Sequence, residues 1–182
     1  MSSFTVHLRR VHDERLPART RRSDLRSCLV NFAPYGFRAT YHHLTLSARI
    51  PGNPEQDPAA LVRAAEELHA ARRLWLAHVR AHAAHRSAAK ARGRRQDPAS
   101  DAWPAAYGQR LGWQGIAFCP DWTVHPTDPL PAVIERVIRW TRAPGGIRTL
   151  TCRACGYDAG PRIEPGTGPP APVCGRCGVG RL

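Results

Sequence analysis

The sequence predicts an α+β body, a small antiparallel sheet packed on one long and one shorter helix, followed by a separate cysteine-bearing module. Three observations predict it. Residues 4–11 alternate at first, with Phe4, Val6 and Leu8 on one parity and Thr5, His7 and Arg9 on the other. Residues 58–92 carry apolar side chains at three- and four-residue steps. The break Ala143-Pro144-Gly145-Gly146 detaches the last segment, so residues 1–146 form the body and residues 147–182 the module. A chain of 182 residues has room for one ordinary domain plus such an appendage.

The elements follow in order. Residues 4–11 read as a half-buried strand. Residues 9–26 hold seven arginines against Asp13, Glu14 and Asp24, a net +4, and read as a solvated loop. A hairpin comes next: residues 27–32 are one arm, Ala33-Pro34-Tyr35-Gly36 the turn and residues 37–50 the return arm. That arm changes phase, because Phe37, Ala39 and Tyr41 share one parity whereas Leu44, Leu46, Ala48 and Ile50 share the other. A β-bulge near His42-His43 keeps both sets on one face. The alternative is two shorter strands meeting at a bend.

Asp57 as N-cap and Pro58 as first helical residue open the long helix, and Gly93 offers its stop. Its seam runs Leu61, Ala64, Leu68, Ala71 and Trp75, then continues as His78, His82 and His85, while Val62, Ala65, Leu76 and Val79 widen it. Glu66 and Glu67 come early and the basic residues late, which suits the macrodipole. Residues 63–95 hold nine basic and two acidic groups, a net +7. Residues 94–112 read as a linker and residues 113–118 as a strand. Thr127 or Asp128 caps the shorter helix behind Pro129, with Leu130, Val133, Ile134, Val137 and Ile138 inward.

The tail carries the clearest chemistry. Cys152-Arg153-Ala154-Cys155-Gly156 is followed by Cys174-Gly175-Arg176-Cys177-Gly178, with 18 residues between Cys155 and Cys174. Two cysteines separated by two residues bend around one ion, and the glycine after each pair permits a tight turn beyond the second sulfur. Four thiolates from two such loops complete a closed tetrahedral Zn2+ site. The stretch between them, rich in proline and glycine, has too little apolar material to fold alone, so metal binding supplies the folding free energy. Two disulfides, an iron–sulfur centre or a redox pair are the alternatives, against which the spacing argues. This segment resembles the zinc ribbon, with two knuckles on hairpin turns and a short strand entering over residues 147–151. The resemblance covers residues 147–182 and implies that Cys152, Cys155, Cys174 and Cys177 hold one structural ion. Zinc ribbons commonly serve nucleic-acid or protein contacts, and all four positions being thiolate leaves no open site for catalysis.

Charge places the expected interface. The whole chain is +13, from 27 basic and 14 acidic residues, which favours anionic partners. Residues 145–182 are only +3, and zinc with four thiolates brings them to about +1. The electropositive surface therefore belongs to the body, and the candidate nucleic-acid contacts are Arg9, Arg10, Arg19, Arg21 and Arg22, with Arg86, Lys90, Arg92, Arg94 and Arg95. Trp75, Trp103, Trp113, Trp122, Tyr35 and Tyr107 are stacking groups if exposed and core residues otherwise.

Other clusters are weaker. His78, His82 and His85 share one helix face and suit a divalent metal, but they continue the apolar seam among arginines, where packing or phosphate contact is the plainer role. Cys119 with His125 or with His42-His43 suggests a mixed Cys/His site; for Cys28 and Cys119 burial as inert thiols is the better account. No G-x-x-x-x-G-K-[ST] occurs, no G-x-G-x-x-G follows a strand, and the scattered carboxylates form no two-metal nuclease pattern. Residues 1–10 lack the apolar stretch of a signal peptide and no window of about 18 apolar residues exists, so a cytoplasmic protein without a membrane partner is expected. The expected function is a non-enzymatic, zinc-containing nucleic-acid-binding protein, DNA or RNA. The alternatives are a protein-interaction subunit or adaptor of a transcription, translation, viral or mobile-element complex, and a metal-dependent hydrolase or nuclease. Cys174→Ser tests the ligand set: bound zinc, measured by atomic absorption on the full-length protein, is expected to fall to background while the helical circular dichroism of the body persists. Stoichiometric zinc in that variant would exclude the assignment.

Overall fold

Phe4 and Leu8 are four residues apart, a spacing that a strand and a helix both place on one face. Val11, seven from Phe4, shares that face only in a helix. In the computed structural model, which describes residues 3–93, 128–142, 147–151 and 158–163, the helix wins. Val11 is fully buried and Val6 is 42% exposed, the reverse of what the alternation required. This first helix, α1, spans Phe4–His12.

The same competition decides the next two segments. Helix α2 (Ala18–Asn31) buries Ala18, Arg21, Asp24, Leu25, Cys28 and Leu29, a three- and four-residue series with two charged residues at inward positions. Helix α3 (Phe37–Ser47) buries Thr40, His43 and Leu44, with Phe37 and Tyr41 packed against the core. The change of parity near His42-His43 is thus the 3.6-residue period of a helix, not a bulge. Ala33-Pro34-Tyr35-Gly36 joins two helices: the Gly36 N–H donates to the Ala33 carbonyl at 2.9 Å, and the Tyr35 N–H donates to Thr40 Oγ1 at 3.0 Å. Gly36 has φ of 83°, a left-handed conformation that needs no Cβ. The expected antiparallel sheet of the body is therefore replaced by helices, and the expected arginine-rich loop is largely α2. The described residues of the body contain no strand.

The two expected helices lie where their caps put them. Helix α4 spans Ala59–Ala91, 33 residues and about 50 Å of rod. Asp57 Oδ1 accepts the Ala60 N–H at 3.2 Å, and Pro58 occupies the helical region at φ −61°. Helix α5 spans Leu130–Arg142 behind Pro129, with Leu130, Val133 and Ile134 buried. The α4 seam Leu61, Ala64, Leu68, Ala71 and Trp75 is fully buried, and α1, α2, α3 and α5 all pack against α4. Beyond Val79 the helix is mostly exposed.

In the C-terminal module, β1 (Ile147–Thr151) pairs antiparallel with β2 (Asp158–Ile163), Ile147 opposite Ile163. The expected linker and strand at residues 94–118 lie outside the described residues. Among the described residues no helix is long and apolar enough to cross a membrane.

Helix α3 ends in a Schellman arrangement: the Ile50 N–H donates to the Thr45 carbonyl at 2.9 Å and the Arg49 N–H to the Leu46 carbonyl at 3.3 Å. The left-handed position is held by Arg49, at φ of 55°. An L-residue with a Cβ pays there about 1 kcal/mol that glycine avoids, less the greater freedom glycine has when unfolded. Arg49→Gly is expected to stabilise the protein by about 0.5–1 kcal/mol, read as a raised urea midpoint at unchanged slope.

Candidate nucleic-acid interface

An arginine side chain reaches phosphate only if the fold leaves it facing outward. Arg9 and Arg19 are exposed on α1 and α2. Arg10 is half-exposed, but its Nε donates to Asp24 Oδ2 at 3.0 Å. Arg22 donates through Nε to the Tyr41 hydroxyl at 2.7 Å and through Nη1 to the Gly52 carbonyl at 3.1 Å. Arg21 is only 5% exposed and donates through Nε to the Val11 carbonyl at 2.7 Å, so it joins α2 to the end of α1. Arg86, Lys90 and Arg92 are exposed along the last turns of α4 and the residue after it. The structure thus gathers one basic group at the end of α4 and leaves Arg9 and Arg19 on two other helices. Arg94 and Arg95 lie outside the described residues.

The expected zinc ligands Cys152, Cys155, Cys174 and Cys177 also lie outside the described residues, as do Cys119, His125, Trp103, Tyr107, Trp113 and Trp122. Of the other aromatic candidates, Trp75 and Tyr35 are buried in the core. His78 packs its ring against Trp75 at 5.9 Å and is partly buried, as is His82, whereas His85 is exposed. Among the described residues no three His, Cys, Asp or Glu side chains converge in a way that holds a metal. Cys28 is buried with its thiol 3.8 Å from the Phe4 carbonyl. Burial, then the neighbouring Asp24 charge, pushes that thiol up to about 12, so it is no nucleophile at neutral pH.

Two carboxylates, Asp24 buried and Glu67 partly buried, escaped the sequence reading. Asp24 accepts from His7 Nδ1 at 2.8 Å as well as from Arg10, and so ties α2 to α1. Glu67, on α4, accepts the Ser47 hydroxyl at 2.8 Å and the Leu130 N–H at 2.7 Å, with His43 Nε2 at 3.5 Å. It binds α3, α4 and the N-terminus of α5 in one point. The signal in the sequence was an acidic residue one step off the apolar seam, which looks the same as a macrodipole acid. His43 is buried and rests against Tyr35 at 5.5 Å, while the adjacent His42 is exposed.

No protein-family model, curated protein or solved structure matches the chain. Function must be argued from the residues themselves.

Burial raises the Glu67 pKa, and the donors His43, the Leu130 N–H and Ser47 together outweigh it, so the carboxyl sits below its ordinary value. A folded pKa below the unfolded one means stability that is present above the unfolded value, near 4.3, and lost as pH falls through the folded one. Glu67→Gln is expected to cost about 2 kcal/mol at neutral pH and to flatten the acid limb of a urea-midpoint against pH profile. An acid limb unchanged by the substitution would remove Glu67 from this role.

Proposed function

We propose that the protein is a cytoplasmic, non-enzymatic nucleic-acid-binding protein. Its helical body contacts phosphates through Arg86, Lys90 and Arg92, continued in sequence by Arg94 and Arg95, with Arg9 and Arg19 as outlying contacts. The observation that carries the reading is the run of five basic residues within residues 86–95, of which Arg86 and Lys90 lie on the last turns of α4 and Arg92 directly follows it, on a chain of net +13. Guanidinium forks match phosphate oxygens in pairs, and the Lys90 ammonium adds a point charge beside them.

The C-x2-C pairs supply the second part of the reading. Cys152, Cys155, Cys174 and Cys177 form an all-thiolate donor set whose chemistry suits Zn2+, and they would hold one ion. Such an ion supplies folding energy to the module and no reaction. The neutralised ribbon would then dock on nucleic acid or on a larger complex, while the body supplies the electrostatic attraction.

Fluorescence anisotropy of the full-length protein with single-stranded DNA, duplex DNA and RNA across a salt series tests this. Affinity is expected to fall with salt at a slope near −0.7 per phosphate on single strands and −0.9 on duplex. Arg86→Ala/Lys90→Ala/Arg92→Ala is expected to lower the single-strand slope by about 2. No binding to any of the three at moderate salt would overturn the proposal.

A further inference from the structure

The middle of α4 bears a second arginine group. Arg72, Arg73 and Arg80 line one cavity of about 610 Å³ together with Leu74, Leu76 and Ala77. Arg73, Leu76 and Arg80 stand at i, i+3 and i+7, so they project from one face while Trp75 is turned into the core. Arg72 sits beside them, partly buried, its guanidinium 4.4 Å from the Phe4 ring centroid.

These charges have no counter-charge among the described residues. Among the described residues none of the three arginines forms an ion pair. The acids on the same helix are engaged elsewhere: Glu66 faces His12 at 3.5 Å and Glu67 holds Leu130 and Ser47. Burial holds Arg72 below its ordinary pKa; Cys28 opposes it and the charge of Arg80 adds to it. His69, one turn before Arg73, is lowered by burial and then by Arg73, Arg72 and His12. Its buried Nδ1 has no hydrogen-bond partner among the described residues. Three guanidinium groups gathered on one stretch of helix, Arg72 partly buried and Arg73 and Arg80 exposed, with no counter-charge among the described residues, favour an anion, and three guanidinium forks suit phosphate oxygens better than a single carboxylate. Leu74, Leu76 and Ala77 give the same recess an apolar lining, which suits a sugar or base edge and gains nothing from a small hydrated ion.

We propose that this α4 groove binds a single-stranded phosphodiester chain, with Arg73 and Arg80 on its phosphates, Arg72 supporting them and Leu76 against its sugars and bases. The inference rests on the nucleic-acid reading and extends it to a site that neither the helix end nor the C-terminal module contains. Its arginines differ from the candidates drawn from charge density alone.

The test compares four full-length proteins on a labelled single-stranded oligonucleotide across a salt series: the wild type, Arg73→Ala/Arg80→Ala, Arg73→Lys/Arg80→Lys, and Lys90→Ala/Arg92→Ala. The alanine pair is expected to lose about tenfold or more in affinity and to lower the salt slope by about 1.4, at an unchanged thermal midpoint because both residues are exposed. The lysine pair is expected to keep the slope and bind more weakly, because the charge stays and the fork is lost. Should the alanine pair misfold, the lysine pair decides: weaker binding at unchanged slope supports the groove, and wild-type affinity overturns it. Wild-type binding that the alanine pair leaves unchanged, while the Lys90/Arg92 pair reduces it, overturns the groove and leaves the broader reading standing. No binding by the wild type overturns both.

Discussion

Everything in the helical body depends on burying one face of α4. The other helices are 9 to 14 residues long, a length at which isolated helices are marginal in water. Leu61, Ala64, Leu68, Ala71 and Trp75 give them a common surface with no solvent exposure. The alternation of small and large residues matters. Ala60, Ala64, Ala65 and Ala71 let neighbouring backbones approach, and the leucines and Trp75 fill what remains, each leucine contributing about 1.5–3 kcal/mol of burial.

Packing short helices around a rod creates many helix ends near the core, and each end has polar groups without an intrahelical partner. Here neighbouring helices supply some of the partners. Arg21 of α2 donates to the Val11 carbonyl in the last turn of α1, a cation where the dipole favours one. Glu67 of α4 accepts the first N–H of α5, an anion where the dipole favours that. Asp24 receives His7 and Arg10 across the α1–α2 contact. These charges orient the helices as well as satisfy them, since the apolar face of α4 alone would accept a neighbour at several rotations.

That arrangement also explains which parts of the fold were legible in the sequence. Helices α4 and α5 were, because each has an Asp-Pro start and an apolar stripe lasting more than two turns. Over that length a period of 3.6 cannot be mistaken for a period of 2. The alternation from Phe4 to Arg9 is too short to separate them, and only Val11, at the end of the segment and off its parity, does so. In α2 the inward positions include Arg21 and Asp24, so the helical stripe looks interrupted until their partners on α1 are known. Thr40 and His43 do the same to α3. Glu67 was illegible for another reason: its partner Leu130 is 63 residues away, and no local pattern encodes a pairing at that distance.

The same commitments redistribute the charge on which the functional argument stands. By composition, residues 9–26 look like the natural phosphate-binding segment, at net +4. In the folded chain Arg21 is interior, Arg22 is engaged with Tyr41 and Gly52, and Arg10 is engaged with Asp24. Holding those groups in place makes the body, and withdraws them from any ligand. Helix α4 divides its labour along its length instead: its first half is the core and its second half projects basic residues from a rod already fixed by that core. A cation held on a packed helix gives up less rotational freedom on meeting phosphate than one on a loop that must order first. The burial that stabilises the fold and the rigidity that would favour an anionic strand are therefore two consequences of one helix.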